Sequence, residues 1–274
     1  MSWHAKPARA LLFSALTLTA GAALAGRSCE ERVAPADQTA VAFDAAAGLA
    51  KMLGESGQKL AILARRGQNL EKYGVTFSHA AFAVKTDDGW QVYHDLNLCN
   101  SAQSRLFLQG LAEFFADDLI SQQVAVVVPE PWLQDRLIQV LSSKEEQFRM
   151  HEPAYSAVAY PFATKYQNSN GWVLETYARA AADVKLSNRE QAQAWLKIAG
   201  YQPSIVELGT LTRLGARMFK ANVAFDDQPP ELRWKDKITT STGDSVLRLV
   251  AERAQRQPDC VHGKFPDTVC LVTP

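Results

Sequence analysis

Two short stretches hold the residue types that could do chemistry. In Thr76-Phe77-Ser78-His79-Ala80-Ala81-Phe82-Ala83-Val84, an apolar run is interrupted near its start by His79. In Tyr166-Gln167-Asn168-Ser169-Asn170-Gly171-Trp172, a serine lies between two other residues of helix-capping type. An imidazole suits proton transfer. A hydroxyl at a helix start, where unpaired backbone N–H groups and the positive dipole end converge, suits an activated nucleophile or an oxyanion partner. Each also has an ordinary structural use, His79 as a strand-end residue bonded to backbone and Ser169 as a helix cap.

The elements that position these residues follow from spacing. The His79 run has the length and the β-branched and aromatic content of a buried strand, and Asp87-Asp88-Gly89 bounds it with turn chemistry. Trp90 to Leu96 should pair back on it. With a three-residue loop and Gly89 left-handed, Thr86 pairs with Trp90 and Asn97 falls across from His79. With a two-residue Asp88-Gly89 turn, Leu98 falls there instead. Either register leaves His94 roughly 10 to 13 Å from His79. Asn168, Ser169 and Asn170 open a helix in which Trp172, Val173, Tyr177 and Ala180 recur at helical spacing.

Around these stretches the sequence predicts helices over Thr39 to Leu53, Ser104 to Asp117, Pro131 to Leu141 and Pro203 to Phe219. A helix through Ile198 opens on a capping box at Ser187-Asn188-Arg189-Glu190, and one to about Arg256 is capped at Thr242. Strands are predicted over Lys59 to Ala64, Val124 to Val128, Tyr155 to Ala163 and Lys237 to Thr240. Strands and helices mix without regular β-α alternation, which predicts an α+β domain with a central sheet from the Lys59, Thr76, Trp90, Val124 and Tyr155 segments.

The chain has 274 residues, 47% apolar and 21% charged, enough for one sizeable core. Lys6 and Arg9, an apolar run from Ala10 to Ala20, and Ala23-Leu24-Ala25 form a signal-peptide pattern over 1–25. The run is too short for a spanning helix, and the protein is expected to be periplasmic or secreted and not integral to the membrane after cleavage. Removing residues 1–25 takes two cations and no acid from a balance of 29 basic and 29 acidic residues, leaving a net charge of −2. That argues against a nucleic-acid partner. Cys29, Cys99, Cys260 and Cys270 all follow the signal, so they are disulfide candidates with three pairings open. No Cys-x-x-Cys occurs and only His262 lies near a cysteine pair, so neither a metal nor another cofactor is expected.

The order of a Ser-His strand, a hairpin with a polar residue in its second strand, a buried Val-rich strand and an aromatic-Asn-x-x-x-Trp helix start resembles the circularly permuted branch of the NlpC-type papain-like superfamily. From about Cys29 onward the chain also resembles an exported bacterial family known only as a domain of unknown function. The resemblance implies a permuted papain-like core over about 60–181 and a helical extension over about 182–274, within a single α+β domain over 26–274. Ser169 stands where that family carries cysteine. The implied roles are Ser169 as nucleophile, His79 as general base and then acid, Asn97 or His94 as orienting group, and Asn168, Asn170 and Trp172 around the helix start. Two functions are open: a hydrolase of amide or acyl-ester bonds acting on a small peptide, an acyl compound or a cell-envelope component, or a binding or structural envelope protein that keeps the fold without the chemistry.

Overall fold

The computed structural model describes residues 35–116, 119–255 and 269–272. Residues 1–25, where a signal peptide is expected, and Cys29, Cys260 and His262 lie outside them. In chain order the elements are α1 (Ala36–Glu55), β1 (Leu60–Arg66), a short 3-10 turn, β2 (His79–Thr86), β3 (Gly89–Asn97), β4 (Ser104–Gly110), α2 (Leu111–Ala116), β5 (Ser121–Pro129), α3 (Pro131–Ser142), α4 (Lys144–Arg149), α5 (Ser169–Ala181), α6 (Arg189–Ile198), β6 (Ser204–Glu207), α7 (Thr210–Phe219), α8 (Pro230–Arg233), β7 (Lys237–Thr240), α9 (Gly243–Ala251), β8 (Ala254–Gln255) and β9 (Val269–Val272). No described helix is long and apolar enough to cross a membrane.

The continuous apolar runs of β1 and β5 have a direct cause: helices cover both faces of the sheet. The strand order is β4-β3-β2-β1-β5, with β8 and β9 both pairing β5, and every pairing is antiparallel. On one face Ala61, Leu63, Ala81, Ala83, Val124 and Val126 pack under Leu49 and Leu53 of α1 and Phe114 and Phe115 of α2. On the other, Leu60, Ile62, Ala80, Phe82, Ala125 and Val127 meet Leu133 and Leu137 of α3, Trp172 and Tyr177 of α5 and Val246 and Val250 of α9. The side-chain period of two sends alternate residues to the two cores. A third, smaller cluster joins Val206 of β6, Ile238 of β7, Val223 and Phe225.

The α+β class holds, and several local expectations change. Ser104–Gly110 is a strand rather than the start of a helix. It pairs along the whole of β3, from Asn97–Ser104 to Gln91–Gly110, and that ladder outweighs the helical spacing of its apolar residues. The Tyr155 segment is outside the sheet and makes only an isolated bridge with Gln167. The expected helix from Pro203 divides into β6 and α7, because β6 pairs with β7. The part of the chain after residue 181 is not an appended set of helices: α9 fills the core beside β1 and β5, and β9 extends the sheet. Helix α6 is capped by Asn188, whose side chain accepts from Gln191 N, rather than by Ser187.

The register of the β2–β3 hairpin decides which side chains share a face. Gly89 has φ 111°, yet the hairpin closes on Thr86–Gly89, with Lys85–Trp90 and Phe82–Tyr93 beyond it. This is one residue away from the expected Thr86–Trp90 pair. A one-residue shift turns every β3 side chain to the other face.

Candidate functional site

At the lower end of the hairpin β2 and β3 separate. Their pairing stops at Phe82–Tyr93, although β2 runs back to His79. The start of α5 fills the opening. Asn170 Oδ1 accepts from Ala80 N at 2.8 Å, and its Nδ2 donates to Ser78 O at 2.9 Å and Ser241 O at 3.1 Å. The amide side chain thus stands in for a missing strand partner. Asn168 caps the helix by accepting from Gly171 N at 2.8 Å, and it donates to Ala157 O, Thr240 Oγ1 and Ser241 O. Trp172 is fully buried, edge-on to Phe82, with Nε1 donating to Gln147 O at 3.3 Å. The polar groups of Asn168, Asn170 and Trp172 are therefore occupied within the fold.

The observed register makes His94 and His79 diagonal neighbours on the same face. Nε2 of His79 and Nδ1 of His94 are 3.0 Å apart, and Nε2 of His94 is 2.8 Å from Gln109 Oε1. Because Gln109 Oε1 can only accept, His94 donates from Nε2 and accepts at Nδ1, so His79 donates from its Nε2. The remaining nitrogen of His79, Nδ1, then carries a lone pair. It makes no hydrogen bond among the described residues. Arg65 sits opposite His79 in the β1–β2 ladder, its guanidinium 4.5 Å from the Phe114 ring centre and bonded to Phe114 O. Burial, then the Arg65 charge, then His94 hold the His79 imidazole well below its usual range, so it is neutral at physiological pH.

Stability is therefore expected to depend on pH. Below about pH 6.5 the unfolded chain protonates His79 while the folded protein does not, so the unfolded state binds more protons and stability falls as the pH falls. The expected slope from this group is about 1.4 kcal/mol per pH unit, starting near pH 6.5 and ending at the depressed folded value. Chemical denaturation between pH 5 and 7 should show it, and His79→Gln should remove that share of the slope. A slope unchanged by the substitution would refute the assignment.

Ser169 belongs to a different environment. β2 directs Ala80 and Phe82 toward α5 and His79, with Ala81 and Ala83, toward α2, where its ring centre lies 6.4 Å from that of Phe114. The expected meeting of His79 and Ser169 does not occur, and no hydrogen bond joins them. Ser169 Oγ instead lies 3.4 Å from the Tyr155 hydroxyl, whose pKa is pushed up to about 12 chiefly by burial. Asn97 is also displaced from its expected place: it pairs with Ser104, and its amide donates to Leu98 O at 3.2 Å.

Sequence reasoning missed the polar group on this second face. Asp95 is fully buried, with His151 Nε2 3.3 Å from its Oδ1 and the same nitrogen 3.1 Å from Ser104 Oγ. Burial raises the Asp95 carboxyl against the pull of His151. Ser104 and His151 border an open cleft of about 400 Å³ with Leu98, Gln103, Arg105, Phe148 and Pro153. The available signal was an aspartate inside an otherwise apolar strand, a position a charge occupies only with partners. Among the described residues no group of three or more His, Cys, Asp or Glu is arranged to hold a metal.

Neither Cys99 nor Cys270 is a free thiol. They cannot bridge each other, because Cys99 follows β3 and Cys270 lies in β9, with β2, β1 and β5 between them. Four inter-strand steps span about 19 Å, far beyond the roughly 4.4–6.8 Å Cα separation of a disulfide.

Fold and site together define an α+β protein with one antiparallel sheet, a buried imidazole relay on one face and a capped helix-start serine on the other. The chain belongs to the bacterial family DUF2145, described as "uncharacterized protein conserved in bacteria", whose model matches residues 52–250. Among curated proteins and solved structures none matches.

Proposed function

We propose that this is an exported envelope protein that keeps a permuted papain-like core of the NlpC type and works by binding rather than by hydrolysis. The observation that carries the reading is the separation of the two reactive groups: Ser169 is bonded to Tyr155, and His79 is bonded to His94 on the opposite face. A serine without a base in reach keeps its proton and remains a weak nucleophile. The cleft beside His151 is the binding place in this reading. Leu98, Phe148 and Pro153 offer apolar walls for an acyl or apolar peptide group, while Gln103, Ser104 and Arg105 offer donors to a carbonyl or carboxylate.

Export accounts for the cysteines. Excluding a Cys99–Cys270 bridge leaves two of the three pairings, and the low entropic cost of closing the short loop between Cys260 and Cys270 favours that pair together with Cys29–Cys99. A hydrolase is the second reading, favoured by the His79–His94–Gln109 relay, which leaves Nδ1 of His79 as a fixed base with no bonded proton.

One preparation tests both readings. Protein recovered from the exported fraction should lack residues 1–25 by intact mass and carry two disulfides. The wild type, Ser169→Ala and His79→Ala should all hydrolyse acyl esters and cell-wall peptides no faster than a protein-free control. Wild-type turnover that falls by about a hundredfold or more in both variants, the scale of a lost acid–base group, would establish the hydrolase instead.

A further inference from the structure

The two edges of the sheet are finished differently. Along β5 the outer side is taken by β9, from Val124–Val272 to Val127–Val269, and then by β8 at Val128–Gln255 and Pro129–Ala254. β4 has β3 on one side and, among the described residues, no strand on the other. Leu98 N donates to Gln103 O at 2.7 Å, so Gln103 and the alternate residues after it turn their main chains to β3. Ser104, Leu106, Leu108 and Gly110 turn theirs outward. Both ends of this outer row are occupied. Residues 153–155 run antiparallel beside its start: Ser104 N donates to Pro153 O at 2.9 Å, Tyr155 N donates to Ala102 O at 2.8 Å, and Gln103 faces Ala154. At the far end Gly110 N donates to Glu113 Oε2 at 2.8 Å.

Between these ends the row is open. Pro153 has no N–H to return to Ser104 O, and the two residues before it leave the edge, with Glu152 N bonded to Gln167 Oε1 and His151 N to Phe148 O. The Ser104 carbonyl and the main-chain N–H and C=O groups of Leu106 and Leu108 make no hydrogen bond among the described residues. Exposed edges are commonly blunted by proline or charge, yet residues 106–109 contain neither, and Leu108 is 53% exposed. Donors and acceptors repeating every two residues along one line are complementary to an extended main chain. A second copy of β4, antiparallel across a twofold, fits poorly. Centred on Leu106, it would need the place beside Ser104 that Pro153 holds. Centred on Phe107, it would press Gly110 onto that proline, and centred on Leu108 it would need Gly110 N, which Glu113 holds. A free peptide brings no such flanking elements.

We infer that the outer edge of β4 takes an extended peptide segment of another protein as an added strand, held by the main-chain groups of Leu106 and Leu108 and by the Ser104 carbonyl. Side chains of the added strand opposite Leu106 and Leu108 lie on the same face as these leucines, which favours apolar residues there. Ser104 also borders the cleft beside His151, so one end of the strand reaches that cleft. The inference names the ligand class for the binding reading proposed above and rests on it.

Hydrogen exchange with a synthetic hexapeptide of alternating threonine and valine tests it, using the protein as recovered from the producing cell and millimolar peptide. The amides of Leu106 and Leu108 should exchange quickly in the free protein and at least about tenfold more slowly with peptide, while those of Arg105 and Phe107, already bonded to β3, should not change. The same peptide N-methylated at every amide keeps its side chains but loses its donors, and it should give no protection. Leu108→Pro removes one outward N–H at an edge position where proline is tolerated, so it should fold and bind the hexapeptide about tenfold more weakly or worse. Protection by the methylated peptide, or no binding of the hexapeptide, would overturn the inference. So would slow exchange at both amides in the free protein, or a dimer in sedimentation equilibrium, since the edge would then be covered by the chain itself or by a second copy. Binding that leaves both amides unchanged but is weakened by Phe148→Ala would overturn the added strand alone and leave the cleft as the binding place.

Discussion

Replacing Arg189 by Met should lower the unfolding free energy by about 3–5 kcal/mol at neutral pH, because it leaves a buried carboxylate without its partner. Glu175 lies inside α5 and is 2% exposed. Its Oε2 accepts from Arg189 Nε at 2.7 Å and from Gln167 Nε2 at 2.6 Å, and its Oε1 accepts from Arg189 Nη2 at 3.2 Å and Gln193 Nε2 at 2.8 Å. Arg189 also donates to Thr164 O and Tyr166 O, which ties α6 to the loop that leads into α5. Burial already pushes the Glu175 carboxyl above the usual carboxylate range against the pull of Arg189, so little further loss of compensation is tolerated. The double variant Arg189→Met with Glu175→Met should recover much of the loss, since a well-packed apolar pair avoids the desolvation cost. Denaturant titration of the three proteins checks this. Equal stability of the single variant and the wild type would show that the pair is not a structural lock.

The second large effect is expected at Asn170. Asn170→Ala removes three hydrogen bonds; Ser241 O keeps its bond from Asn168 Nδ2, while the Ala80 N–H and Ser78 O are left with water as their alternative at the mouth of the β2–β3 opening. At about 1–3 kcal/mol for each buried group left unsatisfied, the total cost should be about 2–5 kcal/mol. Asn170→Asp should be worse than alanine. It keeps an acceptor for Ala80 N but points a second oxygen at the carbonyls of Ser78 and Ser241. Hydrogen exchange at Ala80 should rise in both variants before global unfolding, since the opening is local. If Asp proves milder than Ala, the role of Asn170 as a donor to those carbonyls is wrong.

These effects show why capping residues at the start of α5 misled a reading of the site from sequence. Asn168, Asn170 and Trp172 are where a substrate-binding shell would be expected, yet each side chain is used to close the fold. Their residue types express geometry at a helix start, and that geometry is the same whether the helix carries a nucleophile or a plug.

What the sequence determines by itself is local. Proline at the start of α3, asparagine before α5 and threonine before α9 end or begin helices for reasons contained within a few residues. The apolar continuity of β1, β2 and β5 follows from their burial on both faces, and it was legible as a run of side chains with no polar alternation. Only the tertiary structure decided which residues meet. A hairpin closed on Thr86–Gly89 rather than Thr86–Trp90 moves His94 from a distant position to a bond with His79, and strand parity sends His79 away from Ser169. Asp95 of β3, Ser104 of β4 and His151 after α4 come together, and Tyr155 reaches Ser169, from segments that carry no shared spacing. Local patterns are blind to this because the side-chain period of a strand is two: shifting a register by one residue leaves the apolar pattern recognisable and exchanges the faces on which the chemistry lies.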